Sequence, residues 1–460
     1  MEQGQDRRGI ARVVITTQFG PPFMVSGVAV VLPAMGGDLG AGATSLGLVE
    51  TVFLASQLSF LLPAGRLADA GDKRTLYKWG LACFAVSSLL IALLSSVPGI
   101  LFLRFVQGAS AAVFAATGPA ILSEIVPPER RGRAFGSSIG AIYAGLTLGP
   151  VVAGFLADLW GWRSVFLTGG ILTAAGCTLI STMMPSRWQR PGKNAVNLPS
   201  AALIVTAALF LVAGSATLRE GAVGYVFLAA AAIAIVGFVR LQSHLERPLV
   251  DVRALMANRI LRNALLVQLL IYVAAFSATF MASLYMQISL GASATLAGQL
   301  IAVSSLLMAS LAPVAGRLSD RYQPRRVLGI GVGCLLISSA MGTLLHDGSS
   351  LAYLTLMLAV QGLGFAFFSS PNMTTIMGSV PPTASGMASA LGAKARALGM
   401  LSGMLVATML ISLDFGHDPI ALHPDRLIGT IVTAFAILAT ITAAAFILAL
   451  WPQAGRKDRS

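Results

Sequence analysis

Three ionisable side chains sit where an apolar chain should tolerate none. Glu50, Arg104 and Arg396 each fall inside a run of roughly 20 mostly apolar residues, long enough to cross a bilayer. A charge held away from water is costly, so such residues pair with each other, line a water-filled path or grip a ligand. Glu50 supplies a carboxylate that can take up and release a proton. Arg104 supplies a fixed cation that can hold that carboxylate or an anionic group. Each also has a structural alternative: Glu50 as an interfacial acid touching water, Arg104 as a cation snorkelling to the headgroups. Arg396 lies roughly 15 Å into its run, near a bilayer midplane, with Gly392, Gly399 and Gly403 at helical spacing. That face is expected to be small and cavity-lining, with Arg396 lining water or gripping a substrate. Gln57, Gln107, Gln268, Gln287, Gln361 and Asn372 are further polar positions inside apolar runs, able to bond a substrate or another helix.

The elements that must position these groups follow from composition. The chain has 460 residues, 56% hydrophobic and 11% charged, with mean hydropathy +0.81. So few charges cannot cover a soluble protein of this size, which excludes a large soluble enzyme and predicts an all-α polytopic membrane protein. Fourteen spans are expected, near 13–33, 46–64, 76–96, 98–122, 134–156, 164–184, 198–217, 222–241, 261–283, 295–315, 326–346, 351–371, 386–411 and 428–450. Arg7, Arg8 and Arg12 precede the first run as in a signal peptide, but no cleavage site follows cleanly, so a retained first helix is expected.

The net charge of +13 does not indicate nucleic acid, because the basic residues cluster in alternate loops. Lys73, Arg74 and Lys78; Arg130, Arg131 and Arg133; and Arg317, Arg321, Arg325 and Arg326 are examples. This positive-inside bias puts both termini in the cytoplasm, in keeping with an even number of spans. Cys83, Cys177 and Cys334 form no CxxC pair, so no metal site or disulfide framework is expected. His244, His346, His417 and His423 fall in loops, which argues against a buried histidine relay. No cofactor is implied.

Three motifs carry a resemblance. Residues 136–154, GSSIGAIYAGLTLGPVVAG, place Gly136, Gly145, Gly149, Pro150 and Gly154 at fixed offsets in an apolar segment. Glycines let a neighbouring backbone approach closely, and Pro150 bends the helix. The loop GRLADAGDKR carries Gly65, Asp69, Lys73 and Arg74, and GRLSDRYQPR repeats it with Gly316, Asp320 and Arg321. The third motif is Arg104, Gln107, Gly108, Ala111 and Ala112. The first motif resembles the antiporter signature of the major facilitator superfamily, departing only at Ala153. The loop resembles that family's GxLaDrxGrk signature, departing at Ala70 and Asp72. The third resembles its R-x-x-q-G pattern, with Ser110 replacing a Gly.

Taken together, the chain resembles the fourteen-span drug:proton antiporters of that superfamily over nearly its whole length. The resemblance implies the major facilitator fold: a six-helix bundle over 1–184, a linker with two extra helices over 185–256, and a second bundle with a tail over 257–460. It also implies alternating access in a bacterial cytoplasmic membrane, with export of a small amphiphile against protons and no enzymatic activity. In that reading Glu50 and Arg104 handle the proton, and Gly65, Asp69, Lys73, Arg74, Gly136, Gly145, Gly149, Pro150, Gly154, Gly316, Asp320 and Arg321 serve conformational change. Partners are the lipid bilayer, protons and the substrate, with the protein a monomer.

One departure is informative: Met24 stands where the family's first span carries an acid. Arg104 and Arg396 are then balanced mainly by Glu50, which favours anionic or zwitterionic substrates. It also keeps open a lipid or organic-anion flippase not coupled through a first-helix carboxylate. No HExxH or GxxxxGK[ST] sequence indicates an enzyme or an ATP-driven pump.

Overall fold

A computed structural model describes residues 2–70, 72–183, 198–218, 221–245, 258–380, 385–416 and 423–451. Among them the regular structure is helical. The helices are α1 (Glu2–Thr17), α2 (Gly20–Leu39), α3 (Ala43–Ala70), α4 (Lys73–Leu93), α5 (Val97–Ile125), α6 (Pro128–Trp160), α7 (Arg163–Met183), α8 (Leu198–Ala216) and α9 (Ala222–His244). There follow α10 (Arg259–Leu284) with a π-turn (Tyr285–Ser289), α11 (Ala294–Arg321), α12 (Pro324–Gly342), α13 (Leu351–Gly378), α14 (Ser385–Asp414) and α15 (Pro424–Leu450).

Among the described residues 13 segments are long and apolar enough to span a membrane, and Ala144–Trp160 of α6 is a shorter apolar stretch. The fold is the expected all-helical membrane architecture, with about the expected number of spans. The first span differs in detail. It runs Gly9–Leu39 rather than 13–33, and it is two helices, not one. The break falls at Gln18–Phe19, just before Gly20-Pro21-Pro22. Two prolines remove two successive amide donors, so the α1 ladder cannot continue through them.

The described chain forms two compact units. The first holds residues 1–241 with 291–299 and 411–422; the second holds 242–290, 300–410 and 423–460. The two helices expected as a separate middle part therefore cluster with the first unit. α8 packs against α3, and Phe210 of α8 stacks on Phe227 of α9 at 6.0 Å.

In the first unit α3 packs on α5, α2 on α6, and α4 on both α5 and α7. Small residues make these approaches possible. A β-carbon on Gly80 would stand 3.1 Å from the Phe114 amide, and one on Gly108 would collide with the Phe53 carbonyl. Tyr77, Phe84 and Phe114 then fill the α4–α5 interior edge to face. In the second unit Val267, Ile271, Tyr272, Val332, Leu335 and Phe368 form the core of α10, α12 and α13. The outer faces are apolar: Leu93, Ile171, Ile233 and Leu306 are all exposed, as lipid contact requires. α9 is peripheral, 22% buried over its most apolar stretch, against 72% for Arg259–Ser289.

Candidate functional site

The α3–α5 crossing builds the only fully buried ion pair among the described residues. Gly108 lies one turn beyond Arg104 and meets α3 at the Phe53 carbonyl and Ser56 Cβ. This close approach brings side chains one turn away into contact. Arg104 Nη2 donates to Glu50 Oε2 at 2.5 Å, and both side chains are 0% exposed. Arg104 Nη1 donates to Gln107 Oε1 at 2.7 Å, and Nε donates to the Val49 carbonyl at 2.8 Å. Gln107 Nε2 donates in turn to Ser88 Oγ of α4 at 2.6 Å, and Ser88 Oγ donates to the Phe84 carbonyl at 2.7 Å. The guanidinium carbon lies 4.4 Å from the Phe53 ring centroid and 6.0 Å from that of Phe166 in α7, so aromatic faces complete the cage. Glu50 Oε1 is buried with no hydrogen-bond partner. Gln107, expected in a substrate cavity, is instead consumed by this network.

The α6 glycines form a continuous seam inside the first unit. A β-carbon on Gly145 would stand 2.5 Å from the Phe19 carbonyl, and one on Gly149 would stand 2.7 Å from the Phe23 carbonyl and 3.1 Å from the Gly27 amide. Gly27 reciprocates, 2.9 Å from Ala153 Cβ. Further along, a β-carbon on Gly154 would stand 3.0 Å from Thr295 Cα, and one on Gly298 2.9 Å from the Pro150 carbonyl carbon. Asp158 Oδ2 accepts from the Thr295 amide at 2.8 Å, capping α11 at its first turn, the part of that helix that belongs to this unit. A Cβ at any of these glycines would force the helices apart, so the spacing of the motif is a packing requirement.

The loop between α3 and α4 is held by its basic residues. Lys73 Nζ pairs with Glu124 Oε1 of α5 at 2.5 Å, and Arg74 Nη2 donates to the Ser181 carbonyl at 2.9 Å. Asp72, a departure from the family pattern, is the N-cap of α4 and accepts from the Arg74 amide at 3.1 Å. A β-carbon on Gly65 would meet nothing within 4 Å, and one on Gly316 would lie 3.2 Å from Ser370 Oγ. Arg321 is exposed at the end of α11. The side chains of Asp69 and Asp320 and the surroundings of Gly136 lie outside the described residues.

In the second unit the polar residues tie helices together. Gln268 Nε2 donates to the Gly392 carbonyl at 2.6 Å, and Asn372 Nδ2 donates to Gln268 Oε1 at 3.0 Å and the Ala264 carbonyl at 3.3 Å. Gln361 Nε2 donates to the Ala275 carbonyl at 3.2 Å, beside a cavity of about 10 Å³ that it shares with Ser338, Ser339 and Thr442. Gln287 bonds Ser283 within its own segment, and Gln57 is half-buried on α3. Arg396 is half-buried on α14, but its glycine neighbours do not line a cavity. A β-carbon on Gly399 would stand 2.5 Å from the Leu269 carbonyl, and one on Gly403 2.5 Å from the Val273 carbonyl, so this face is filled by α10.

Comparison with known proteins decides the family. The model of the Major Facilitator Superfamily matches residues 15–246 and 264–459. The chain belongs to the major facilitator superfamily. It is 26% identical over 376 residues to the riboflavin transporter RibZ of Clostridioides difficile, covering 81% of each chain. It is also 26% identical over 386 residues to the multidrug resistance protein Stp of Mycobacterium tuberculosis, covering 82% of this chain and 71% of Stp. A crystal structure of a POT family transporter in complex with 5-aminolevulinic acid covers 95% of each chain with a TM-score of 0.69 at 14% identity, a likeness of fold.

As a major facilitator superfamily member the chain is a transporter rather than an enzyme. Within that frame Met24 stays informative. It is buried, and a β-carbon on Gly169 of α7 would lie 3.1 Å from Met24 Cγ, so a thioether packs where the resemblance places an acid. Ser88, Phe53, Phe166 and Asp158 were not singled out from sequence. Ser88 and the two phenylalanines give no local signal. Asp158 did: it stands four residues beyond Gly154, where its side chain can reach past the end of the seam.

Proposed function

We propose that this transporter exports a small amphiphilic, drug-like molecule or metabolite from the bacterial cytoplasm by proton antiport, with Glu50 as the proton carrier. The buried Glu50–Arg104 pair carries this reading. A desolvated ion pair adds little stability over apolar residues of similar volume, so its presence at a helix crossing favours a working role. Protonating Glu50 removes the counter-charge and leaves Arg104 held by Gln107, the Val49 carbonyl and two aromatic rings. That change alters the α3–α5 contact and gives proton binding a mechanical consequence. The glycine seam of α6 suits helices that slide while remaining packed. The efflux direction is supported by the antiporter-type motif and by the name of the relative Stp. The basic loops support cytoplasmic termini, and the protein acts as a monomer.

The pairing narrows the substrate expectation. Glu50 neutralises Arg104 one to one, so any preference for anionic or zwitterionic amphiphiles rests on the second unit, where Arg396 lies. The test is a substrate screen in proteoliposomes with an imposed pH gradient, including riboflavin and a lipophilic cationic dye. Gradient-driven transport is expected in the wild type and lost in Glu50→Gln; undiminished coupling in that variant removes Glu50 from the mechanism. Met24 favours a second reading, an uncoupled flippase, whose signature is transport that survives collapse of the gradient.

A further inference from the structure

The hydrogen-bond chain around Arg104 has a direction, and the direction says which atom can take a proton. Arginine has only donors, so Gln107 must present Oε1 to Nη1 at 2.7 Å. Its Nε2 therefore faces Ser88, and the contact at 2.6 Å makes Ser88 Oγ the acceptor. The Ser88 hydroxyl proton is then directed to the Phe84 carbonyl at 2.7 Å, a group that cannot pass a proton on. Every link from Arg104 to α4 runs donor to acceptor outwards and ends on backbone. No link has a basic atom free to accept.

Glu50 is different. Oε2 accepts from Arg104, while Oε1 is buried and unpartnered. Cavities of about 10 Å³ lie near Val52 and Ser56 and in the second unit, and Glu50 lines neither. A water needs about 10–15 Å³ and two or more polar partners, whereas a proton needs only a lone pair. Other charges of the packed helices are engaged elsewhere: Asp38 with Arg163, Lys73 with Glu124, and Arg74 with the Ser181 carbonyl. Lys78 lies ten residues, about 15 Å, along α4 from Ser88.

We propose that Ser88 and Gln107 are positioning residues that hold Arg104 in place, and that Glu50 Oε1 is the atom of this site that takes and returns the proton. This deepens the proton-antiport reading and rests on it for its biological use. The proton adds to an Oε1 lone pair, and the Oε2 contact changes from an ion pair to a hydrogen bond from the guanidinium to a neutral carbonyl. Ser88 and Gln107 keep the guanidinium from swinging to a new acceptor, so the exchange stays at one atom.

The test is infrared difference spectroscopy of the purified full-length protein in lipid, stepped between acid and alkaline pH without substrate. A carboxylic acid carbonyl band is expected in the wild type and lost in Glu50→Gln. Ser88→Ala and Gln107→Leu, which leave Glu50 and Arg104 themselves unchanged, should keep the band but shift its frequency, because the guanidinium on Oε2 is no longer fixed. Ser88→Thr keeps the hydroxyl and should return the wild-type frequency. A band that persists in Glu50→Gln, or an unchanged frequency in both Ser88→Ala and Gln107→Leu, overturns the proposal. The band behaving as expected while transport ignores the pH gradient would sink the antiport reading and leave the proton site standing.

Discussion

Replacing Arg104 by leucine should damage the protein more than replacing both members of the pair. Arg104→Leu leaves Glu50 buried with no counter-charge, and it strands Gln107 Oε1. Removing one partner of a fully buried pair costs about 3–5 kcal/mol. Replacing both by apolar or neutral groups of similar size is often close to neutral, because the cost of burying two charges disappears as well. For a cooperative body of roughly the first unit's size, about 2–4 °C of melting temperature accompanies each kcal/mol. Arg104→Leu should therefore lower the melting temperature by roughly 6–20 °C. Glu50→Gln with Arg104→Leu should recover most of that. The assay is thermal unfolding of detergent-purified protein, followed by intrinsic fluorescence and by light scattering to register aggregation. A single variant as stable as the wild type, or a double variant no better than the single one, would refute a pair that is truly desolvated and mutually compensating.

Three further outcomes follow from the glycines and from Asp158. Gly149→Val places a branched side chain where a single carbon already stands 2.7 Å from the Phe23 carbonyl, so about 1–3 kcal/mol of overpacking and loss of transport are expected. Gly65→Ala, which meets nothing within 4 Å, should by contrast leave both expression and melting temperature near wild type. Asp158→Ala removes the cap on the first turn of α11 and should cost about 1 kcal/mol, read as a lowered melting temperature, while Asp158→Asn, which keeps an acceptor, should cost less.

What the sequence revealed depended on whether the constraint was local. The spans are set by runs of apolar residues, and the α6 seam by glycines at fixed offsets, so both are legible along the chain. Glu50 and Arg104 were individually legible because a bilayer makes any charge conspicuous. Their pairing was not, since it joins residues 54 apart through a crossing that Gly108 permits. The same limit hid Lys73–Glu124 and the Gln268–Asn372–Gly392 ties, whose partners lie on different helices. Arg396 shows the converse. Small residues along one helical face are equally suited to a cavity or to a neighbouring backbone, and here the backbone of α10 occupies the space. Asp72 looked like a departure from a motif, yet as an N-cap it serves the backbone rather than the loop.

The interruption between α1 and α2 makes the first span two rods with a joint. Pro21 and Pro22 cannot donate to the carbonyls of Thr17 and Gln18, and the buried amide Nε2 of Gln18 has no partner at the same level. The two rods also differ in their neighbours: α1 packs on α7 and on α6 and α5, and α2 mainly on α6. At the joint the Gln18 and Phe19 amides make only tight-turn bonds to the Ile15 and Thr16 carbonyls, at 3.2 and 3.1 Å, and the prolines remove the next two donors of an α-helical ladder. α2 is locked in the glycine seam while α1, more lightly packed, is joined to it through a proline break, so motion of α1 need not be transmitted in full to α2.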